Sequence, residues 1–175
     1  MLEDLNKADN ESIVVLHSCA HNPTGQDPTM KQWEQILEVI KKKNHLAAFD
    51  SAYQGFASGN LATDAASIRL FEKHTDRIVL FQSFAKNFGL YGERCGNLNV
   101  VCSSENEAKI VQSRLKAVAR PMYSNPPIHG ARIVDIVLGD KELTASWHAD
   151  LVHMSDRMTS MRKGLVEKLK NQGST

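Results

Sequence analysis

Four short runs of aliphatic and aromatic residues alternate with segments of helical periodicity along the chain. The runs cover residues 12–17, 46–50, 77–82 and 97–102. Their nearly continuous Ile, Val, Leu and Phe content is typical of strands that are buried on both faces. The alternation of strands and helices predicts an α/β fold in which functional groups lie at the C-terminal ends of the strands.

The helices are predicted from apolar residues at steps of three and four. The first lies between the first two strands, with Asp27 as its N-cap and Pro28 at its first position. A second is expected over residues 63–73, and Ser104 with Glu107 forms a capping box for another. After Pro126 and Pro127 a further helix is expected. One long helix follows it, with an apolar stripe in which Met158 is expected only to pack.

Composition and charge narrow the possible partners. The chain has 175 residues, with 21 basic and 20 acidic side chains and a net charge of +1. This charge supplies no large field to attract nucleic acid or an anionic membrane, and no apolar run approaches the ~20 residues of a membrane helix. Three cysteines without a secretory signal predict reduced thiols inside a cell.

Lys86 is the first candidate for chemistry, because it follows a predicted strand in the segment of residues 83–89. A lysine that is desolvated near other cations loses proton affinity and becomes nucleophilic towards aldehydes. Taken alone, such a lysine is usually a solvated surface charge. Whether Lys86 is a nucleophile or a surface charge is therefore judged from the polar residues near the ends of the other strands.

Three polar residues lie near the ends of the first two predicted strands. Asn22 follows the first strand, Asp50 ends the second, and Tyr53 comes three residues after Asp50. A carboxylate at the end of a strand can keep a heteroaromatic nitrogen protonated, although it can also cap a helix or form a turn. The Tyr53 hydroxyl can serve a phenolate oxygen or merely satisfy a carbonyl. Asn22 lies in an Asn-Pro-Thr-Gly turn and is a candidate ligand.

Two arginines are candidates for anion binding. The planar fork of Arg94 suits a phosphate dianion. Residues 120–127 are predicted to be a rigid, non-helical segment, in which Pro121 restricts Arg120 to extended geometry and its guanidinium could meet a substrate carboxylate. A rival cluster of His17, Cys19 and His21 resembles a metal site only weakly, since no fourth ligand is evident, and no metal is expected.

Four motifs together resemble the aspartate aminotransferase family, fold type I of the pyridoxal-phosphate enzymes. They cover residues 20–25, 49–59, 83–94 and 120–127 in the order and spacing of that family. The resemblance extends over essentially the whole chain. Two segments, residues 90–93 and 120–125, look more like the mitochondrial animal type, which favours the mitochondrial matrix, with the cytosol as the alternative.

The resemblance implies a role for each candidate near the cofactor. Lys86 would form a Schiff base with pyridoxal phosphate, and Asp50 would bind the pyridine nitrogen. Tyr53 and Asn22 would bind the phenolic oxygen. Lys86, with Asp50 and Tyr53, would be catalytic. The resemblance also implies a fold, which is a large domain with a mixed, mostly parallel sheet over residues 1–140. Residues 141–175 would be a long helix that leads to a small domain.

The remaining roles concern phosphate and substrate. Ser83 and Arg94 would bind the phosphate, whereas Asn22 and Arg120 would bind substrate. In the family, Arg120 would bind the substrate's side-chain carboxylate across a dimer interface, which implies a homodimer. The implied reaction converts L-aspartate and 2-oxoglutarate to oxaloacetate and L-glutamate.

The chain is less than half as long as a full member of this family, so its own activity is expected to be low. The resemblance implies that it lacks the phosphate-capping loop, the aromatic residue that stacks on the cofactor, and the arginine that binds the α-carboxylate. Two alternatives stay open: another reaction on the same cofactor, and a non-catalytic remnant that only binds cofactor or pairs with a complete subunit.

Overall fold

The computed structural model describes residues 1–173 as a sheet flanked by helices. The elements in chain order are α1 (Leu2–Lys7), β1 (Ile13–His17), α2 (Met30–Lys43), β2 (Leu46–Ser51), α3 (Leu61–Asp64), α4 (Ala66–Glu72), β3 (Ile78–Ser83), β4 (Gly96–Val100), α5 (Glu105–Met122), α6 (His129–Gly139) and α7 (Lys141–Asn171). The four predicted strands are all present, each within two residues of its expected ends.

The sheet has four strands in the order β1-β2-β3-β4. The first three are parallel, and β4 runs antiparallel to β3. Gly96 permits this last pairing, because a Cβ there would lie 2.7 Å from the carbonyl oxygen of Gln82. The prediction of an α/β fold with a mixed, mostly parallel sheet is confirmed.

Helix α2 begins at Met30 because Thr29 caps it. The Thr29 side chain accepts from the Gln32 backbone N–H while the Gln32 side chain accepts from the Thr29 N–H, which is a capping box. The prediction that Asp27 caps this helix is therefore wrong. Its carboxylate turns back towards the loop that follows β1.

One face of the sheet carries the hydrophobic core. Phe49 from β2 packs edge-on against Phe71 of α4, and both rings contact Trp33 of α2, with centroid separations of 5.0 to 6.0 Å. Phe49 and Phe71 are both 0% exposed. The apolar stripe of α2 thus covers the centre of the sheet.

The opposite face of the sheet is largely exposed. Val15 is 70% exposed and Phe81 50%, although the sequence predicted strands buried on both faces. That expectation is wrong for this chain, because its described helices enclose the core on one face only. The accessible surface is 11873 Å², whereas a compact monomer of this mass exposes about 8500 Å².

Two helix predictions also need correction. The helix expected over residues 63–73 is interrupted at Ala65, which separates α3 from α4. The extended geometry expected of Arg120 is wrong, because Arg120 and Pro121 lie in the last turn of α5, and the non-helical segment begins only after Met122. Helix α5 has no buried residue in the described structure, so little packing opposes this ending.

Helix α7 forms the long C-terminal element that the apolar stripe predicted. Leu151, which is 1% exposed, contacts the loop that follows β2, and Trp147 stacks on Phe88 with a centroid separation of 4.4 Å. Among the described residues, no helix is long and apolar enough to cross a membrane.

Candidate active site

A cleft of about 770 Å³ lies near the C-terminal ends of the parallel strands. The loop after β1 contributes one wall, the loop after β2 a second, and the segment after β3 a third. Its lining residues are Ala20, His21, Asn22, Pro23, Thr24, Gly25, Asp27, Tyr53, Phe56, Ala57, Lys86, Tyr91, Met158 and Arg162. Loops at this edge of a parallel sheet are the usual location of a ligand site.

Three of the predicted site residues, Asn22, Tyr53 and Lys86, meet in this cleft. The Lys86 Nζ lies 5.1 Å from the centroid of the Tyr53 ring, which is within cation–π range. Asn22 Nδ2 donates to the Tyr53 hydroxyl at 3.5 Å. An amine, a phenol and an amide from three separate loops therefore line one cavity.

The loop that carries Asn22 is held by side chains on both sides. The Asn22 N–H donates to His17 Nδ1 at 3.1 Å. The His21 ring lies 4.8 Å from that of His17 and contacts Thr24 Oγ1 at 2.7 Å. Asp27 accepts two further N–H bonds from this loop.

The loop that follows Tyr53 is held by Asp64, whose side chain is buried. Its carboxylate accepts from the Gly55 N–H at 2.8 Å, the Ala57 N–H at 3.2 Å and the Ser58 hydroxyl at 2.6 Å. Three donors compensate for the removal of this charge from water. The wall formed by Phe56 and Ala57 is thereby fixed.

Asp50 and Ser83 lie at the ends of strands rather than in the cleft lining. Asp50 is in register with His17 on β1 and Phe81 on β3, so the three residues share the exposed face of the sheet. Ser83 ends β3, where its Oγ accepts from the Ala85 N–H at 3.2 Å. Both are half-buried and border the strand ends from which the cleft loops emerge.

Arg94 and Arg120 are exposed and also lie outside the cleft lining. The Arg94 guanidinium donates to the Tyr91 carbonyl at 3.1 Å, and Tyr91 itself borders the cleft. Arg120 donates to Ser124 Oγ at 2.9 Å at the end of α5. The described chain therefore brings three of the seven predicted residues into one cavity and leaves both arginines at its surface.

Sequence reasoning missed two residues of α7 that border the cleft, Met158 and Arg162. Met158 was assigned only to a packed apolar stripe. Arg162 stands four positions later and so falls on the same helical face, which is the signal that could have found it. It adds a second cation to the cavity that contains Lys86.

The rival cluster of His17, Cys19 and His21 does not converge on one point. Within the described part of the chain, no group of three His, Cys, Asp or Glu side chains is arranged to hold a metal ion. Burial, with a smaller contribution from the nearby Asp64 carboxylate, raises the pKa of the Cys19 thiol to about 12. At neutral pH Cys19 is therefore an un-ionised, buried thiol.

Several known aminotransferases are similar to this chain. The mitochondrial aspartate aminotransferase of Dictyostelium discoideum is 51% identical over 175 residues, covering 100% of this chain and 41% of that protein. A solved mitochondrial aspartate aminotransferase from Trypanosoma brucei has a TM-score of 0.96 and 48% identity, covering 100% of this chain and 46% of that chain.

A second similar structure is that of an aminotransferase with a different substrate class in its name. The aromatic-amino-acid aminotransferase of Burkholderia pseudomallei, covalently bound to pyridoxal phosphate, has a TM-score of 0.96 and 48% identity, covering 99% of this chain and 43% of that one. Matching relatives include mitochondrial, chloroplastic and cytoplasmic proteins.

These matches confirm the resemblance that the four motifs predicted. The chain spans about two fifths of the length of the curated relatives it matches. The model of the family described as aminotransferase class I and II matches residues 1–175. The chain therefore belongs to the aminotransferase class I and II family.

Proposed function

We propose that the protein containing this chain is a pyridoxal-phosphate-dependent aspartate aminotransferase. The observation that carries the proposal is the meeting of Asn22, Tyr53 and Lys86 in one cleft of an aminotransferase fold. The substrates would be dicarboxylic amino acids and their oxo acids. Arg162 supports this choice, because a second cation in the cleft favours anionic substrates.

The donor set fits pyridoxal phosphate. Lys86 offers the primary amine that an aldehyde requires, and the Asn22 amide and Tyr53 hydroxyl offer donors for a phenolic oxygen. Asp50 would hold the pyridine nitrogen in its protonated form. Ser83 and Arg94 would hold the phosphate, which requires the Arg94 guanidinium to exchange its bond with the Tyr91 carbonyl for phosphate oxygens.

Pyridoxal phosphate, when bound, supplies an aldehyde that condenses with amines and a ring that withdraws electrons. The chain's own residues supply the proton transfer and the orientation. Lys86 Nζ, released as a free amine, takes the proton from the α-carbon of the amino acid as a general base. Asn22 and Tyr53, fixed to each other at 3.5 Å, orient the groups around it.

Arg120 supports a homodimer, because it lies exposed on α5 and outside the cleft of its own subunit. An exposed guanidinium outside its own cleft is accessible to a second copy of the chain. We propose that each site takes Arg120 from the partner and Lys86 from its own chain.

Borohydride reduction followed by peptide mass analysis tests the cofactor proposal on the full-length protein. We expect the pyridoxyl group on Lys86 alone, and Lys86→Arg should abolish labelling. Lys109→Arg is the matched control, because Lys109 pairs with Glu105 on the surface of α5. Label on another lysine, or none, would overturn the proposal.

Hybrid dimers test the role of Arg120. Lys86→Ala and Arg120→Ala subunits, each inactive as a homodimer, should regain aspartate transamination when they are co-expressed. Recovery is expected because one of the two sites in the hybrid contains both native side chains. If Arg120 acts within its own subunit, every site lacks one residue and no recovery occurs.

A second candidate function is transamination of aromatic amino acids, which the Burkholderia pseudomallei structure favours. The ratio of kcat/KM for aspartate to that for phenylalanine separates the two. Arg120→Ala should lower this ratio if a dicarboxylic substrate is native, since only aspartate has a second carboxylate to bind.

The isolated chain of 175 residues should have little activity, because it spans only about two fifths of the length of its curated relatives. Aspartate-dependent oxaloacetate production measures this.

For location we propose the mitochondrial matrix, with the cytosol as the alternative, and subcellular fractionation with antibodies distinguishes them.

A further inference from the structure

Asp27 lies in the loop between β1 and α2, and its carboxylate binds two consecutive backbone N–H groups. Asp27 Oδ2 accepts from the Ala20 N–H at 2.6 Å, and Oδ1 accepts from the His21 N–H at 2.9 Å. Hydrogen bonds to an ionised acceptor are stronger than those between neutral groups. Asp27 thus holds the peptide groups on both sides of Ala20.

The backbone at Ala20 needs such support. Its φ of +48° is in the left-handed region, which residues with a side chain rarely adopt. Consecutive N–H groups around a left-handed residue form a concave site for an anion, and the Asp27 carboxylate occupies that position here. Loss of the carboxylate removes the interaction that favours this turn.

Asn22 follows this turn directly. Its backbone N–H donates to His17 Nδ1, and its side-chain amide donates to the Tyr53 hydroxyl. The direction of the chain at Ala20 therefore determines where the Asn22 amide enters the cleft. Asp27 also borders the cleft, but both of its oxygens are engaged by the backbone.

We propose that Asp27 is a positioning residue, which sets the place of Asn22 and through it the contacts of Asn22 with cofactor and substrate. The proposal deepens the proposed function and rests on it. Asp27 acts through Asn22 and requires no contact of its own with the reacting atoms.

A double-mutant cycle on the full-length protein tests this coupling. We expect Asp27→Ala to lower kcat/KM for aspartate and to weaken pyridoxal phosphate binding by the apoprotein, each between about tenfold and a hundredfold. Asp27→Asn retains one acceptor oxygen and should have a smaller effect. On an Asn22→Ala background, Asp27→Ala should add less than threefold, because its effect is transmitted through Asn22.

Amide hydrogen exchange separates the structural step from the function. Asp27→Ala should speed exchange at the Ala20 and His21 amides, whereas Asp150→Asn, a charge-matched change on the exposed surface of α7, should leave exchange and activity unchanged. If exchange at both amides is unchanged in Asp27→Ala, Asp27 does not hold this turn, and the proposal is overturned whatever the protein's activity.

The remaining outcomes distinguish the two proposals. Faster exchange with unaltered kcat/KM and cofactor affinity, or full additivity with Asn22→Ala, would overturn the positioning role and leave the aminotransferase proposal intact. If Asn22→Ala and Lys86→Ala also leave cofactor binding unchanged, the proposed function itself fails.

Discussion

The helix-covered face and the opposite face of the sheet are built from the same strands, yet they are packed very differently. On the covered face, Phe49 and Ile78 are at most 1% exposed beneath α2 and α4. On the other face, Ile13 is 68% exposed and Val15 70%. The neighbours Val15 and Leu16 of β1 show the same contrast within one strand, at 70% and 4% exposed.

This difference shows that the core is formed by segments close together in sequence, whereas the site lies where those segments leave the sheet open. The covered face forms a core from residues that are near one another in sequence, because each helix follows or precedes the strand it covers. The open face holds Asp50 beside His17 and Phe81, where surface remains unenclosed. Stability is therefore expected to depend on the first face, and completion of the site on the second.

The largest expected effect is the loss of an enclosed aromatic ring. Phe49→Ala should lower the free energy of unfolding by about 3–5 kcal/mol, because it leaves a cavity between Trp33 and Phe71. Phe81→Ala is the matched control, and in the isolated chain it should cost less than about 1 kcal/mol. Urea unfolding of both variants gives the comparison, and equal losses would contradict it.

The contrast between buried and exposed groups should also appear in the pH dependence of the free energy of unfolding, through the buried thiol of Cys19. The raised pKa of Cys19, about 12, means that the folded chain keeps a proton that the unfolded chain releases. The free energy of unfolding should therefore fall as pH rises from about 8.5 towards 12. Cys19→Ala should flatten this slope, whereas Cys102→Ala, at a half-exposed thiol, should not.

Helix caps test the same contrast at a smaller scale. Thr29→Ala should destabilise the chain by about 1 kcal/mol, because α2 carries core residues. Ser104 caps α5, which has no buried residue among those described. Ser104→Ala should therefore loosen α5 locally with less change in global unfolding. Hydrogen exchange resolves the two, and equal global losses would refute the distinction.

The smallest effect on stability is expected on the open face. Val15→Lys should change the free energy of unfolding by less than about 0.5 kcal/mol, because the side chain is already exposed. It should also reduce hydrophobic dye binding by the isolated chain, since it interrupts an apolar surface. A large destabilisation by this variant would show that the face is covered in solution.

The local structure was largely predictable from sequence. The strands and α2 follow from continuous apolar runs and from apolar residues at steps of three and four. Thr29 and Gln32 also carried a capping-box signal, but the adjacent Asp27-Pro28 pair suggested an earlier start. Arg120 was predicted to be extended from the proline rule, which gives a probability and not a certainty.

The site was predictable only where motifs carried it. Asn22, Tyr53 and Lys86 occur in recognisable segments, and they do share a cleft. Asp27 and Arg162 were not predicted to border it, because their places depend on how a loop folds back and where a distant helix crosses. The roles assigned to all seven residues, including the three that share the cleft, remain predictions.

Helix α7 is attached near its middle to the loop that follows β2, through Leu151 and Ser155. Leu151 packs where a Cβ on Gly55 would lie 3.0 Å from its methyl group, and the Ser155 hydroxyl donates to the Phe56 carbonyl at 3.2 Å. Arg162 lies two turns beyond, so a tilt of about 5° at Ser155 moves it by about 1 Å. A small change in the angle of α7 would therefore change the width of the cleft that Arg162 borders.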